Sequence, residues 1–463
     1  MIVALGLRAV WLMRAGSAWT VATDSVGYLA LAHGIREGCG FAAMNGSCGA
    51  AEVMRTPGYP LFLVPFLNHY RLAIFIQAIF GATVCILVAA YARRRYGLLA
   101  AVVAVAIVAF DPPSITVTKE LLTEPLFQLI LTGAVLAALS SRAIAAGFLF
   151  GAAALVRPVG IPLLLLAPAP FLISRHWLRA AVVFVVPVLM IGAWAVRNYR
   201  VAGVFTVTTE GAMTLYSFSV PDVISIATGV PLADAQIAAA RALEVPAFGN
   251  REDLIARARQ LSLYDEVSWA AQTSPPVVRF MLSRSIASIM SHPIATAWVT
   301  AVGLMRLAFE PHEPDVGLAK IMGGKGRAFQ LLRFGSMALE SILLWLIWIG
   351  VARAMWIYPR DGQLWILLGF ALLLLLAAAP FSDMFDPRYR VPAIPFLATI
   401  AGVGWANLVA LLTPGISNDA RVTTQRPAMD ARGLETVSRY SLEAGRAGLV
   451  AALAAVTHSG AQA

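Results

Sequence analysis

Six short stretches of this chain set carboxylates and arginines beside proline, tyrosine or asparagine. They are ATDSVGYLALAHGIREG at 22–38, EVMRTPGYPLFLVPFL at 52–67, KELLTEPLF at 119–127, ALVRPVGIPLLL at 154–165, VRNYR at 196–200 and DPRYRVPAIPFL at 386–397. A carboxylate such as Asp24 can take a proton from a hydroxyl, and at an apolar boundary its affinity for that proton rises. Arginine forks suit a phosphate through paired, charge-assisted hydrogen bonds, which makes Arg55, Arg157, Arg197, Arg388 and Arg390 candidate phosphate ligands. Tyr28, Tyr59, Lys119, Glu120 and Tyr389 could contact the hydroxyl-bearing partner or the rest of the ligand. Each residue also has a plainer reading. Asp24 suits a helix N-cap, tyrosines anchor at membrane interfaces, and Asp386–Arg388 and Asp383–Arg390 pairs could close a helical hairpin.

The elements that must position these residues are membrane helices. The 463 residues are 59% hydrophobic and 13% charged, whereas soluble domains run at about 45–50% apolar and about 25% charged. The net charge of +10 fits basic loops facing anionic lipid and does not call for nucleic acid. Lys119, Lys320 and Lys325 are the only lysines, and alanine is abundant; this bias suits a GC-rich bacterial genome. Spans of about 20 apolar residues are predicted near 1–20, 71–91, 98–111, 121–139, 143–156, 160–173, 179–196, 329–352, 363–380 and 391–412. The fold class is therefore an all-α polytopic membrane protein of about ten transmembrane helices, with outer-face juxtamembrane helices and a small helical extracytoplasmic domain.

Arginine-bearing loops at 91–97, 140–143, 174–179 and 351–360 mark the cytoplasmic side if the spans alternate. The six stretches above then share the opposite face. Ionisable groups at membrane depth cost about 2.5–3.5 kcal/mol each on insertion scales, so their repetition on one face asks for an anionic ligand. The organisation read from this is a catalytic transmembrane module over 1–200 with its first outer loop at 21–70. An extracytoplasmic helical region follows at 201–328, with a membrane-lying helix near 286–309. C-terminal transmembrane helices occupy 329–412, and a cytoplasmic mobile tail 413–463. Cys39 and Cys48 flank a Gly-rich outer loop and form a disulfide candidate. Cys85 reads as a small buried hydrophobe.

A first span followed by Asp24 on a tyrosine-bearing helix, then Arg55 and a Pro-x-Tyr-Pro segment, resembles the GT-C superfamily of membrane glycosyltransferases. The likeness is to the branch holding the protein O-mannosyltransferases and the aminoarabinose transferases. KELLTEPLF, ALVRPVGIPLLL, GAWAVRNYRVAGVFTVTTEGAMTLY at 192–216 and DPRYRVPAIPFL follow in the same order, so the resemblance covers roughly residues 1–412. It implies transfer of a monosaccharide from a polyprenyl-phosphate sugar to an extracytoplasmic glycan, lipid or protein acceptor. Asp24 would be the general base, and the protein would lie in a bacterial inner membrane with its site facing outward. Some relatives use a divalent cation, Mg or Mn, which Asp24 and Glu120 would hold as oxygen ligands. Two other functions compete: a transporter of a lipid-linked or anionic substrate, and a ligase using a diphosphate-linked oligosaccharide. The first would show broken helices at mid-membrane and inverted repeats, and neither is evident in the sequence.

Overall fold

The computed structural model describes residues 2–15, 23–44, 48–248, 275–311, 326–380 and 387–412. It is a helical, multi-pass membrane protein. Four helices are long and apolar enough to cross a membrane: Tyr70–Tyr96 (α4), Trp177–Ala202 (α10), Arg327–Ile357 (α16) and the continuous run Arg388–Leu412. The count reaches six if two bent pairs each form one span. The remaining apolar helices, Glu124–Leu139 (α7), Ala143–Val156 (α8) and Gly362–Ala378 (α17) among them, are shorter than 18 residues. The figure of about ten spans is therefore reached only by counting short apolar helices too.

Proline explains most differences from the predicted spans. Residues 160–173 break into two 3-10 turns and a short helix, Ala169–Ile173 (α9), because Pro158, Pro162, Pro168 and Pro170 remove backbone donors. The membrane-lying helix expected at 286–309 is instead two helices, Pro275–Ser291 (α14) and Pro293–Phe309 (α15), bent by 100° at Pro293. A short helix, Gly58–Leu63 (α3), precedes α4, and Leu98–Phe110 (α5) turns by 58° into the segment Pro112–Lys119, which opens with the helix Pro112–Thr116 (α6). The first helix, Ile2–Ala15 (α1), has 14 residues and buries Arg8 completely. Its guanidinium donates to the carbonyls of Ala4 (3.1 Å) and Ser114 (3.4 Å).

The bundle core runs through α4, α5, α7, α8, α10, α16 and the last helix, Ile394–Leu412 (α18). Little hydrophobic force draws helices together in lipid, so close packing of small residues takes its place. The buried run Ala398–Gly404 on α18 shows this. A Cβ on Gly404 would lie 2.0 Å from the carbonyl oxygen of Gly350 on α16, so only glycine permits that approach.

One small sheet departs from the all-α expectation. Strands Ala42–Met44 (β1) and Cys48–Ala51 (β2) pair antiparallel in the segment before Arg55, and a disulfide joins Cys39 to Cys48. Outside the bundle, Glu210–Thr214 (α11), Val220–Thr228 (α12) and Leu232–Phe248 (α13) gather with α14 around Ala212, Tyr216, Val277, Val278 and Met281. Residues 249–274 of the region 201–328 and the tail at 413–463 lie outside the described residues.

Candidate active site

Asp24 sits in the first turn of helix Thr23–Arg36 (α2), where the helix dipole favours a negative charge. Ser25 Oγ donates to the carbonyl of Leu121 at 3.0 Å, pinning the start of α2 to the segment before α7. Arg388, from the turn Pro387–Ala393, donates through Nη1 to Asp24 Oδ2 at 3.2 Å. Its Nε lies 3.6 Å from Glu124 Oε1. The same Glu124 oxygen pairs with Arg157 Nη1 at 2.5 Å, and Arg157 also donates to Thr123 Oγ1 at 2.7 Å. Glu124 is 1% exposed, so it is the buried post that sets two arginines side by side. The Tyr389 ring lies against both, 5.6 Å from the Arg157 Cζ and 5.4 Å from that of Arg388.

Arg55 joins the group from the other side. Its backbone is fixed by Glu52, whose Oε1 accepts from the amides of Met54 (2.5 Å) and Arg55 (3.3 Å). Its guanidinium stacks over Tyr28, 5.4 Å from the ring centre, and packs on Gly27. Tyr28 meets Tyr59 edge-on at 5.0 Å. The Tyr59 hydroxyl donates to Gln77 Oε1 at 2.5 Å, and Gln77 donates to the Glu120 carbonyl at 2.7 Å. Burial holds the Tyr28 hydroxyl well above the ordinary phenol range, so it enters any chemistry as a neutral hydrogen-bonding group.

A Cβ on Gly27 would stand 2.5 Å from Arg55 Cζ, forcing the guanidinium aside. Losing a mid-helix glycine gains roughly 0.5–1 kcal/mol, so Gly27→Ala is expected to keep or slightly raise thermal stability. Use of a phosphate ligand should fall about tenfold, the effect of roughly 1.4 kcal/mol of lost interaction. Thermal unfolding beside a ligand titration checks both. Unchanged ligand affinity would take Arg55 out of the site.

Two arginines predicted for the same role hold structure instead. Arg197 donates to the carbonyls of Glu52 and Phe41 (2.9 Å for the latter) and lies over the Phe41 and Trp194 rings at 5.4 and 4.9 Å. It grips the disulfide-closed hairpin that leads to Arg55. Arg390 is 1% exposed, ion-pairs with Glu340 on α16 and donates to the Glu310 carbonyl at 2.5 Å. Of the five arginines read from sequence, Arg157 and Arg388 meet at Glu124 and Arg388 reaches Asp24, while Arg55 lies over Tyr28. Asp383 and Asp386 lie outside the described residues.

Lys119 and Glu120 pair with each other at 3.4 Å, so Glu120 reaches the site through its backbone carbonyl. Among the described residues no group of three or more His, Cys, Asp or Glu side chains gathers to hold a metal. Asp24 and Glu120 face Arg388 and Lys119 respectively. That donor set does not fit a divalent cation.

Sequence reasoning passed over Glu210. It lies in VTTEGAMTLY and is the first residue of α11. Thr209 N donates to the Val53 carbonyl at 3.1 Å, and Thr208 Oγ1 donates to the Met54 carbonyl. These bonds bring Glu210 beside Arg55. Its carboxyl feels Arg157, Arg55, Asp24 and Arg388, and burial pushes it above the ordinary carboxylate range. No signal in spacing or periodicity marks it; the contact joins segments far apart in the chain.

No protein-family model matches the chain, and no curated protein does. Among the solved structures similar to it are two of one protein. Both are of ArnT from Cupriavidus metallidurans. The one bound to undecaprenyl phosphate is 14% identical, covers 90% of this chain and 80% of its own, and has a TM-score of 0.38. The apo form is 16% identical over 88% and 78% of the two chains, with a TM-score of 0.35. Neither assigns a role to a residue of this chain.

Proposed function

We propose that this protein is a membrane glycosyltransferase that moves a single sugar from a polyprenyl-phosphate donor to a hydroxyl on an extracytoplasmic glycan, lipid or protein. The observation that carries the reading is the convergence of Arg55, Arg157 and Arg388 with Asp24, from separate segments, at one end of an apolar bundle. An arginine has five N–H donors. Glu124 and Thr123 engage Nη1 of Arg157, which leaves its other donors for an anion. The clamp orients the guanidinium rather than using it up.

In the proposed reaction the acceptor oxygen attacks the anomeric carbon of the donor sugar. The bond from that carbon to the phosphate oxygen breaks, and its electron pair stays on the phosphate. The hydroxyl proton passes to Asp24. Charge grows on the departing phosphate, where fixed donors are worth about 2.7–4 kcal/mol each in comparable sites. Arg388 bridges Asp24 and Glu124, so it would couple the base to the phosphate pocket. The resemblance of the ordered motifs to polyprenyl-phosphate-dependent transferases supports the same donor class. The expected location is a bacterial inner membrane with the site facing outward.

The test supplies extracted polyprenyl-phosphate sugars to membranes carrying wild type or Arg388→Ala at equal expression. Wild type is expected to transfer sugar, and the variant to be slower by about 10²–10³-fold. Absence of transfer by wild type with every polyprenyl-phosphate sugar would overturn the reading.

A further inference from the structure

The residues from Glu52 to Thr56 have no regular secondary structure, yet each of them is tied down. The Glu52 carbonyl accepts from Arg197 Nη1, the Val53 carbonyl from the Thr209 amide at 3.1 Å, and the Met54 carbonyl from Thr208 Oγ1. Glu52 Oε1 accepts from the amides of Met54 and Arg55. Thr56 Oγ1 donates to the Val156 carbonyl at 3.1 Å. The outer end of α10 closes the ring. There Trp194 Nε1 donates to the Val207 carbonyl at 3.1 Å and Asn198 Nδ2 to that of Thr206 at 2.8 Å. The segments 52–54 and 206–209 therefore hang together from one helix end.

The tie at Thr56 has a second consequence. Thr56 directly follows Arg55, and Val156 directly precedes Arg157. One buried hydrogen bond thus joins the two stretches that carry these arginines. Gly58 keeps the same seam closed, since a Cβ there would stand 2.7 Å from the Leu155 carbonyl oxygen. The Arg157 guanidinium has its own clamp on Glu124 and Thr123. Its distance from Arg55 is therefore set by where the segment 52–56 stands.

We propose that Thr56 and Arg197 are positioning residues that set Arg55 relative to Arg157, so that both arginines meet one phosphate. The inference rests on the donor-phosphate reading above and deepens it. Two forks share an anion well only when they are held in place before it arrives. Thr56 fixes one end of the segment against α8. Arg197 fixes the other by taking two backbone carbonyls, those of Glu52 and Phe41, with one guanidinium. A connection between β2 and α3 alone asks for no such order, because fixing each residue costs conformational entropy.

The experiment measures binding of undecaprenyl phosphate, in detergent micelles, to wild type, Thr56→Val, Thr56→Ser and Arg197→Lys. Each is measured alone and in an Arg55→Met background, with thermal unfolding alongside. Val keeps the branched shape of Thr56 without the donor, and Ser keeps the donor. Lys keeps a cation beside Trp194 but lacks the planar fork. With Arg55 present, Thr56→Val and Arg197→Lys are expected to weaken binding about tenfold, a usual coupling for neighbours, and Thr56→Ser by less than about twofold. With Arg55 replaced, each should change affinity by less than about twofold, the scatter of independent sites, because no pair remains to be spaced. Either residue loses its assignment if its variant binds like wild type, or loses as much affinity without Arg55 as with it. A loss in Thr56→Ser equal to that in Thr56→Val would also overturn the role of the hydroxyl. A parallel titration uses inorganic phosphate. If wild type ignored the lipid but bound inorganic phosphate with the Arg55-dependent losses, the positioning would stand and the lipid-donor reading would fall. Lipid binding without those losses would do the reverse, and binding of neither would overturn both.

Discussion

Asp24→Asn is expected to lower sugar transfer by about 10²–10⁴-fold, the usual contribution of a positioned general base, with little change in folding. Asn keeps the size of the side chain, and its amide oxygen can still accept the hydrogen bond that Arg388 Nη1 now donates at 3.2 Å. The turn carrying Arg388 is also held from behind, by the Arg390–Glu340 pair and by Gln128 Nε2, which donates to the Val391 carbonyl at 2.7 Å. What Asn cannot do is take the acceptor proton. The side chain of Asp24 is 44% exposed, so removing its charge leaves no deeply buried cation without a partner. Transfer assayed at matched membrane levels, with thermal unfolding alongside, separates the two effects. Unchanged transfer by Asp24→Asn would remove the proposed base.

The second large effect concerns stability. Arg390 and Glu340 form an ion pair in which each side chain is 2% exposed, between the turn before α18 and the middle of α16. Breaking a buried ion pair by removing one partner generally costs about 3–5 kcal/mol. Arg390→Met alone should therefore lower the unfolding temperature sharply. Glu340→Met added to it should restore most of the loss, since apolar replacements of both partners are often close to neutral. The cycle is measured by thermal unfolding in detergent. Arg388→Met, two residues away, makes the contrast: it should weaken phosphate use far more than it lowers the unfolding temperature. If Arg390→Met proved stable while abolishing phosphate binding, Arg390 would return to the phosphate set.

The two DPRYR arginines show where sequence reading ends. Both are flanked by the same motif, yet one faces a carboxylate at the mouth of the bundle and the other is sealed against α16. Their separation by two residues on a tight turn sends them in different directions, and only packing says which partner each one meets. Arg197 makes the same point. A basic residue ending an apolar helix looks like a ligand, but Phe41 and Trp194 form a rim around it and two backbone carbonyls occupy it.

Composition and the length of apolar runs by themselves determined that the chain is a helical multi-pass membrane protein. The cost of burying backbone donors and charges in lipid leaves few other choices. The clustering of Asp24, Arg55, Arg157 and Arg388 in conspicuous polar islands was legible for the same reason: in an apolar background every charge stands out. Tertiary structure alone decided which islands meet. It gathered Arg157 and Arg388 on Glu124, tied Arg197 to backbone carbonyls and Arg390 to Glu340, turned the 286–309 helix into a bend at Pro293, and brought Thr208 and Thr209 by hydrogen bonds to the segment before Arg55. Those outcomes depend on contacts between segments far apart in the chain, and no local period or propensity encodes them.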